Sequence, residues 1–235
     1  MTTPDGVLLS LLSWFSPGFP VGAFTCSHGL EQAVEAGLVR DADSLGEWIA
    51  GILGHGAGFN DGLLFLAAHE AACREDWPAL DLVTHWADAL RATGELALES
   101  STQGQAFLVA VRQGWPHPWL DAWAGRLPRL QRTASYAVAT GLACAAHGVP
   151  LEHGLTAFLH AFCVNLISAG VRSVPLGQRA GVTLQAGLQP LLAATVQRIL
   201  QDRQQPFQER LGACVPMVDW CSFRHETQYT RLYRT

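Results

Sequence analysis

Residues 43–53 read DSLGEWIAGIL, and their spacing decides the fold class. Leu45, Trp48, Ile49, Ile52 and Leu53 recur at i, i+3, i+4, i+7 and i+8, the period of a helix with one apolar face. Ser44 with Glu47 three residues on has the form of a capping box, so Asp43 or Ser44 starts this helix. The same period runs outward in both directions. Asn60 or Asp61 starts a helix through Leu63, Leu64, Leu66 and Ala67 to about Arg74. Pro78 sits near the first turn of another, which carries Leu80, Leu82, Val83, Trp86 and Leu90. Gly94 interrupts, and Glu95–Arg112 resumes the pattern. The stretch 114–128 holds three prolines and three tryptophans and reads as a loop or turn-rich hinge. Two long helices are expected over 130–146 and 151–171, with a break at His147–Pro150. Pro175, Gly177 and Gly181 interrupt again before a last long helix over 188–204. Upstream, Val7–Phe15 is apolar almost all round, which predicts burial on most faces. No segment alternates as a strand does, and no repeat or low-complexity linker is present. The chain therefore reads as all-α: one domain over 1–235, a bundle of about ten helices, with 206–235 as a tail that a partner orders.

Composition narrows the function classes. A hydrophobic fraction of 49% with 15% charged residues belongs to a well-buried globule. A net charge of −5 gives no reason to expect a nucleic-acid partner. All fifteen basic residues are arginine, which suits interfaces and is also what a compositional bias of the genome produces. Six cysteines without a CxxC or a regular framework read as buried thiols of a reducing compartment. Met1–Gly6 lacks a basic leader, and the uncharged stretches 133–151 and 154–171 are broken by Gly, Pro, His, Asn and Ser, as core helices are. These features lead to the expectation of a cytoplasmic protein with no membrane partner.

One connection is unlike the others. Ser16–Glu31 reads SPGFPVGAFTCSHGLE: Pro17 and Pro20 bar a helix, while Gly22 and Gly29 admit backbone angles closed to other residues. Such a stiff apolar elbow is built to hold a shape, with Phe19 and Phe24 expected in the core and a helix from Cys26 to about Gly37 leaving it.

Catalytic chemistry finds no foothold. There is no GxSxG, HExxH or GxxxxGK[ST], and a P-loop is impossible without lysine. Ser27 and His28 are sequence neighbours whose side chains diverge. Cys221 and His225 stand at i, i+4 but are two ligands short of a closed metal site. Two segments instead place charge among apolar residues. In SAGVRSVPLGQ, 168–178, Arg172 ends an apolar helix, where it meets the negative end of the dipole or caps carbonyls. In RHETQYTRLYRT, 224–235, Arg224, Arg231 and Arg234 alternate with Tyr229 and Tyr233, residue types that anchor interfaces.

The elbow, the 168–178 block and the 224–235 block, with TGELALESSTQG at 93–104 as a weaker fourth, together resemble the urease accessory protein F family. The order of the blocks agrees, although Cys26 stands where the family often has an aromatic residue, Ala97 where it has an arginine, and Arg179-Ala180 where it has Thr-Asp. The resemblance implies an all-helical, homodimeric, non-enzymatic factor, without a cofactor or metal of its own, for loading nickel into apo-urease. The implied partners are accessory protein D (also called H), the GTPase accessory protein G and urease itself, with this chain as the scaffold between them. On that reading, His28 and Glu31 lie on the exposed face of the helix leaving the elbow. Arg224, His225, Glu226, Tyr229, Arg231 and Tyr233 join them once a partner orders the tail. Arg172 and Gln178 belong to the dimer or GTPase side. Two rivals are a direct nickel carrier using Cys221, His225 and Cys214, and a helical hydrolase.

Overall fold

The computed structural model describes residues 4–235; residues 1–3, part of the stretch read above for a leader, lie outside them. Among the described residues the chain forms helices and connections only. In order these are α1 (Pro4–Trp14), a 3-10 turn (Ala23–Thr25), α2 (Leu30–Glu35), α3 (Ala42–His55), α4 (Ala57–Cys73) and α5 (Trp77–Ala89). They continue as α6 (Gly94–Gly114), α7 (Pro118–Leu130), α8 (Tyr136–Ala146), α9 (Leu151–Ser173), α10 (Gln178–Leu200), α11 (Phe207–Arg210) and α12 (Pro216–His225). The all-α bundle expected from the periodicity is what forms.

Helix α4 is the axis. Its residues Leu63–Ala68 are buried without interruption, so it meets neighbours on every side: α3, α5, α8, α9, α10 and α11. The closest of these is α8, and Gly141 is the reason. A Cβ there would lie 2.5 Å from the Phe65 carbonyl oxygen, so only glycine lets the two backbones approach so far. Phe65, fully buried at this crossing, contributes about 1.5–3 kcal/mol through the apolar surface it removes from water.

The helix that decides the fold class forms with its apolar face as read: Leu45, Ile49, Ile52 and Leu53 are all buried. Its cap is displaced. Asp41, not Asp43 or Ser44, is the N-cap; its Oδ1 accepts from Ser44 N at 2.9 Å, while Ser44 Oγ accepts from Asp41 N at 3.1 Å. The box is thus closed by a serine at the third helical position rather than by Glu47.

Four other expectations change. Residues 118–130, read as hinge, are helix α7: Pro118 occupies the first turn, where no amide bond is lost, and Pro128 lies in the last. Leu120, Trp123 and Leu127 give that helix its buried face. Helix α8 begins only at Tyr136, because α7 ends at Leu130 with Gln131 left-handed at φ 54°. Helix α10 starts ten residues ahead of Leu188, at Gln178, with Gly181 and Pro190 inside it. Finally, α1 is not buried on most faces: Trp14 is its one buried residue, and Leu8, Leu9 and Leu12 are 56%, 64% and 63% exposed. Helix α9 is the one described helix long and apolar enough to cross a membrane, and half of its most apolar window is buried in the bundle.

Candidate functional site

The elbow folds as an ordered turn rather than a helix. Gly22 at φ 74° opens the 3-10 turn, and His28 at φ 55° followed by Gly29 at φ 76° turns the chain into α2, which is far shorter than expected. Phe19 packs on Phe107 and Trp115, with ring centres 5.5 and 6.3 Å away, but Phe24 is 66% exposed, contrary to the expectation that both phenylalanines are core.

The C-terminal segment closes over this elbow. Helix α12 crosses α2 at Gly29, where a Cβ would lie 2.9 Å from Ser222 N; the positive φ and the close approach both require glycine. Ser222 Oγ is 2.7 Å from Thr93 Oγ1, and Gly94 N donates to Glu226 Oε1 at 3.2 Å, so the start of α6 is tied to the same helix. The chain then reverses and pairs with the elbow backbone. Arg234 N donates to Thr25 O at 2.8 Å, and Ser27 N donates to Thr235 O at 2.6 Å. Tyr233 is buried, its hydroxyl donating to Ala169 O at 3.0 Å. Arg172, in the last turn of α9, covers the Tyr233 ring at 4.9 Å and donates to Ser168 O at 3.1 Å and to Phe24 O at 2.8 Å. Arg172 therefore caps its own helix and also joins elbow to tail.

Beneath the tail lie three acidic side chains. Glu31 Oε1 accepts from Leu232 N at 2.6 Å and Glu31 Oε2 from Tyr233 N at 3.0 Å. Glu31 Oε2 also faces His225 Nε2 at 3.0 Å, while His225 Nδ1 faces Glu95 Oε2 at 2.7 Å. Arg231 Nη1 donates to Glu95 Oε1 at 2.9 Å. One turn further along α6, Glu99 lies 3.4 Å from His28 Nδ1 and accepts from Thr235 Oγ1 at 3.4 Å. Burial pushes the Glu95 carboxyl above its ordinary range against the pull of His225 and Arg231. Burial, with the Glu99 charge second, likewise raises the Cys26 thiol.

The structure brings His28, Glu31, Arg172, His225, Glu226, Arg231 and Tyr233 into one place. Arg172, Glu226 and Arg231 are exposed there and Glu31 is half-buried, but His28 is not exposed as expected. His28 and His225 are 5% and 0% exposed, and His28 belongs to the turn before α2 rather than to a helix face. Helix α12 and the segment after it are packed on their own chain. Arg224 is exposed beside the cluster and Tyr229 is 103% exposed. Gln178 stands apart as the exposed first residue of α10.

Of the residues named in the carrier reading, His225 has carboxylates facing both ring nitrogens, and burial pushes the Cys221 thiol up to about 11. Cys214 is exposed and hydrogen-bonded to Asp219 at 3.5 Å. Among the described residues no group of three or more His, Cys, Asp or Glu is arranged to hold a metal ion. All six cysteines are free, but Cys73 and Cys214 are exposed rather than buried.

Glu95, Glu99, Leu232 and Thr235 are the site residues that sequence reasoning missed. The signal of the two glutamates was present: Glu95, Glu99 and Gln103 stand at i, i+4, i+8 on α6, a polar stripe that the fold buries, each residue 7% exposed. The helix and tail that cover the site show apolar side chains to solvent. Met217, Trp220 and Phe223 on α12 and Leu232 on the tail are 48%, 49%, 62% and 73% exposed.

Comparison with known proteins agrees with the resemblance. A family model described as UreF matches residues 39–189. A urease accessory protein UreF of Magnetococcus marinus is 54% identical over 231 residues, covering 98% of this chain and 99% of its own. Proteins of the same description from Methylobacterium sp. and Rhodopseudomonas palustris are each 46% identical, over 97% of this chain and 88% and 91% of their own lengths.

Proposed function

The chain belongs to the UreF family of urease accessory proteins, and from that membership we propose that it is a non-enzymatic scaffold for urease maturation. It bridges accessory protein D (or H) to the GTPase accessory protein G, so that nickel reaches apo-urease in a GTP-dependent step. The observation that carries this reading is the exposure of Trp220 and Phe223 on α12 and of Tyr229 and Leu232 on the segment that closes over the polar cluster. Large apolar side chains on a firm base are what protein interfaces use as anchors, and the surrounding charges set orientation. Arg231, half-exposed above Glu95, supplies a cation at the rim. The family resemblance extends the proposal to a homodimer.

Co-purification with the two partners tests the reading. Arg231→Ala is expected to leave the helical content and the D-protein contact intact while lowering recovery of the GTPase by about tenfold. Phe223→Ala and Tyr229→Ala, which touch none of the buried carboxylates, are expected to weaken capture of one partner or the other. Unchanged recovery of both partners with all three variants overturns the assignment of this surface.

A further inference from the structure

His225 sits with no solvent exposure between two carboxyl groups. Glu31 accepts from two backbone amides, and Glu95 Oε1 accepts from Arg231. Both groups are thus placed as acceptors. A neutral imidazole carries one N–H, enough for the 3.0 Å contact to Glu31 or for the 2.7 Å contact to Glu95, but not for both. The second contact requires one more proton, on His225 Nδ1 or on Glu95 Oε2, and it belongs to the pair rather than to either residue. Without it two lone pairs face each other at 2.7 Å in a site closed to water.

We propose that this shared proton is a latch: segment 226–235 docks on the elbow while the Glu31–His225–Glu95 cluster holds it, and is released when rising pH removes it. The other ionisable groups facing the cluster are few. Arg231 from the tail lies on Glu95, Glu226 adjoins His225 at the end of α12, Glu99 with His28 follows one turn along α6, and Cys221 lies one turn back on α12. The sign follows from proton counting. The docked form binds a proton that the released, hydrated groups give up, so docking is strongest on the acid side and weakens as pH rises. The raised Glu95 carboxyl has the same sense. The latch acts on the surface assigned above to partner recruitment, and only its consequence rests on that assignment.

The geometry names a variant that should hold the latch shut. In Glu95→Gln the side-chain amide can donate to a neutral Nδ1 while its oxygen still accepts from Arg231, so every contact is met without the extra proton. The experiment is hydrogen exchange of the full chain, following the amides of Leu232 and Tyr233 from about pH 6 to about pH 10, corrected for the intrinsic rise in exchange rate. Natural-sequence protein is expected to lose at least about tenfold protection across that range, while Glu95→Gln changes less than about twofold. His225→Gln, which cannot titrate, is expected to be less protected but flat with pH; it keeps the test decisive should Glu95→Gln fail to fold. A flat profile in the natural sequence, or a step of equal size in either variant, overturns the proposal. Because the chain is measured alone, a titrating latch combined with unaltered GTPase capture by Arg231→Ala would remove the functional reading and leave the latch standing.

Discussion

A single backbone position governs whether the two ends of this site meet. Gly29 is held at φ 76° with the backbone of α12 against its Cα, so Gly29→Ala meets both a conformational penalty and a clash. The variant is expected to lose about 1–3 kcal/mol in denaturant unfolding and to expose the tail amides to exchange, with the bundle still helical by circular dichroism. At this scale the sequence was half legible. Gly29 and Glu31 were marked by their place in a stiff elbow, and Arg172 by its position at a helix end. The partners Glu95 and Glu99 were not. A carboxylate on a helix reads as solvated until the fold shows what covers it, and those covers lie 130 to 136 residues away.

Among the elements, helix recognition succeeded wherever apolar period and caps agreed and failed where proline was counted without its position. Helix α7 shows why. Pro118 stands in the first turn, where a missing amide costs little, Pro128 forgoes one intrahelical bond only two residues before the helix stops, and the face of Leu120, Trp123 and Leu127 has the ordinary helical spacing. Trp123 is fully buried, and its indole N–H donates to Thr84 Oγ1 at 3.2 Å. Trp123→Ala is therefore expected to cost about 3–5 kcal/mol in chemical denaturation. The cap of α3 gives a smaller test. Asp41→Ala removes one half of the reciprocal pair with Ser44 and is expected to lower the unfolding midpoint slightly at neutral pH. Hydrogen bonds from Ser44 hold the Asp41 carboxyl below its ordinary range, so this contribution is present above that range and fades as pH falls through the lowered value. An acid titration of the natural sequence against Asp41→Ala reads the difference directly.

For the whole molecule, the core and the site separate cleanly. The bundle around α4 is built from buried apolar side chains, and past residue 225 only Tyr233 joins it. Removing residues 226–235 is therefore expected to leave the far-UV helical signal nearly intact while lowering the thermal midpoint, since Glu31 and Glu95 exchange fixed donors for water and Tyr233 is lost from the core. The helical class and single core were legible because each long segment carries its own apolar period. The closure of the site was not, since it joins residues as far apart as Thr25 and Arg234 through backbone amides, which carry no side-chain signature.

That separation has a meaning for biosynthesis. Helices α2 and α6 leave the ribosome long before His225 and Arg231 do, since chains fold from their N-terminal end as they are made. Throughout that interval the nascent bundle carries Glu31, Glu95 and Glu99 as an open acidic socket. Synthesis past residue 231 is what fills it, so a prematurely terminated product differs from the finished one by a localised negative charge as well as by length.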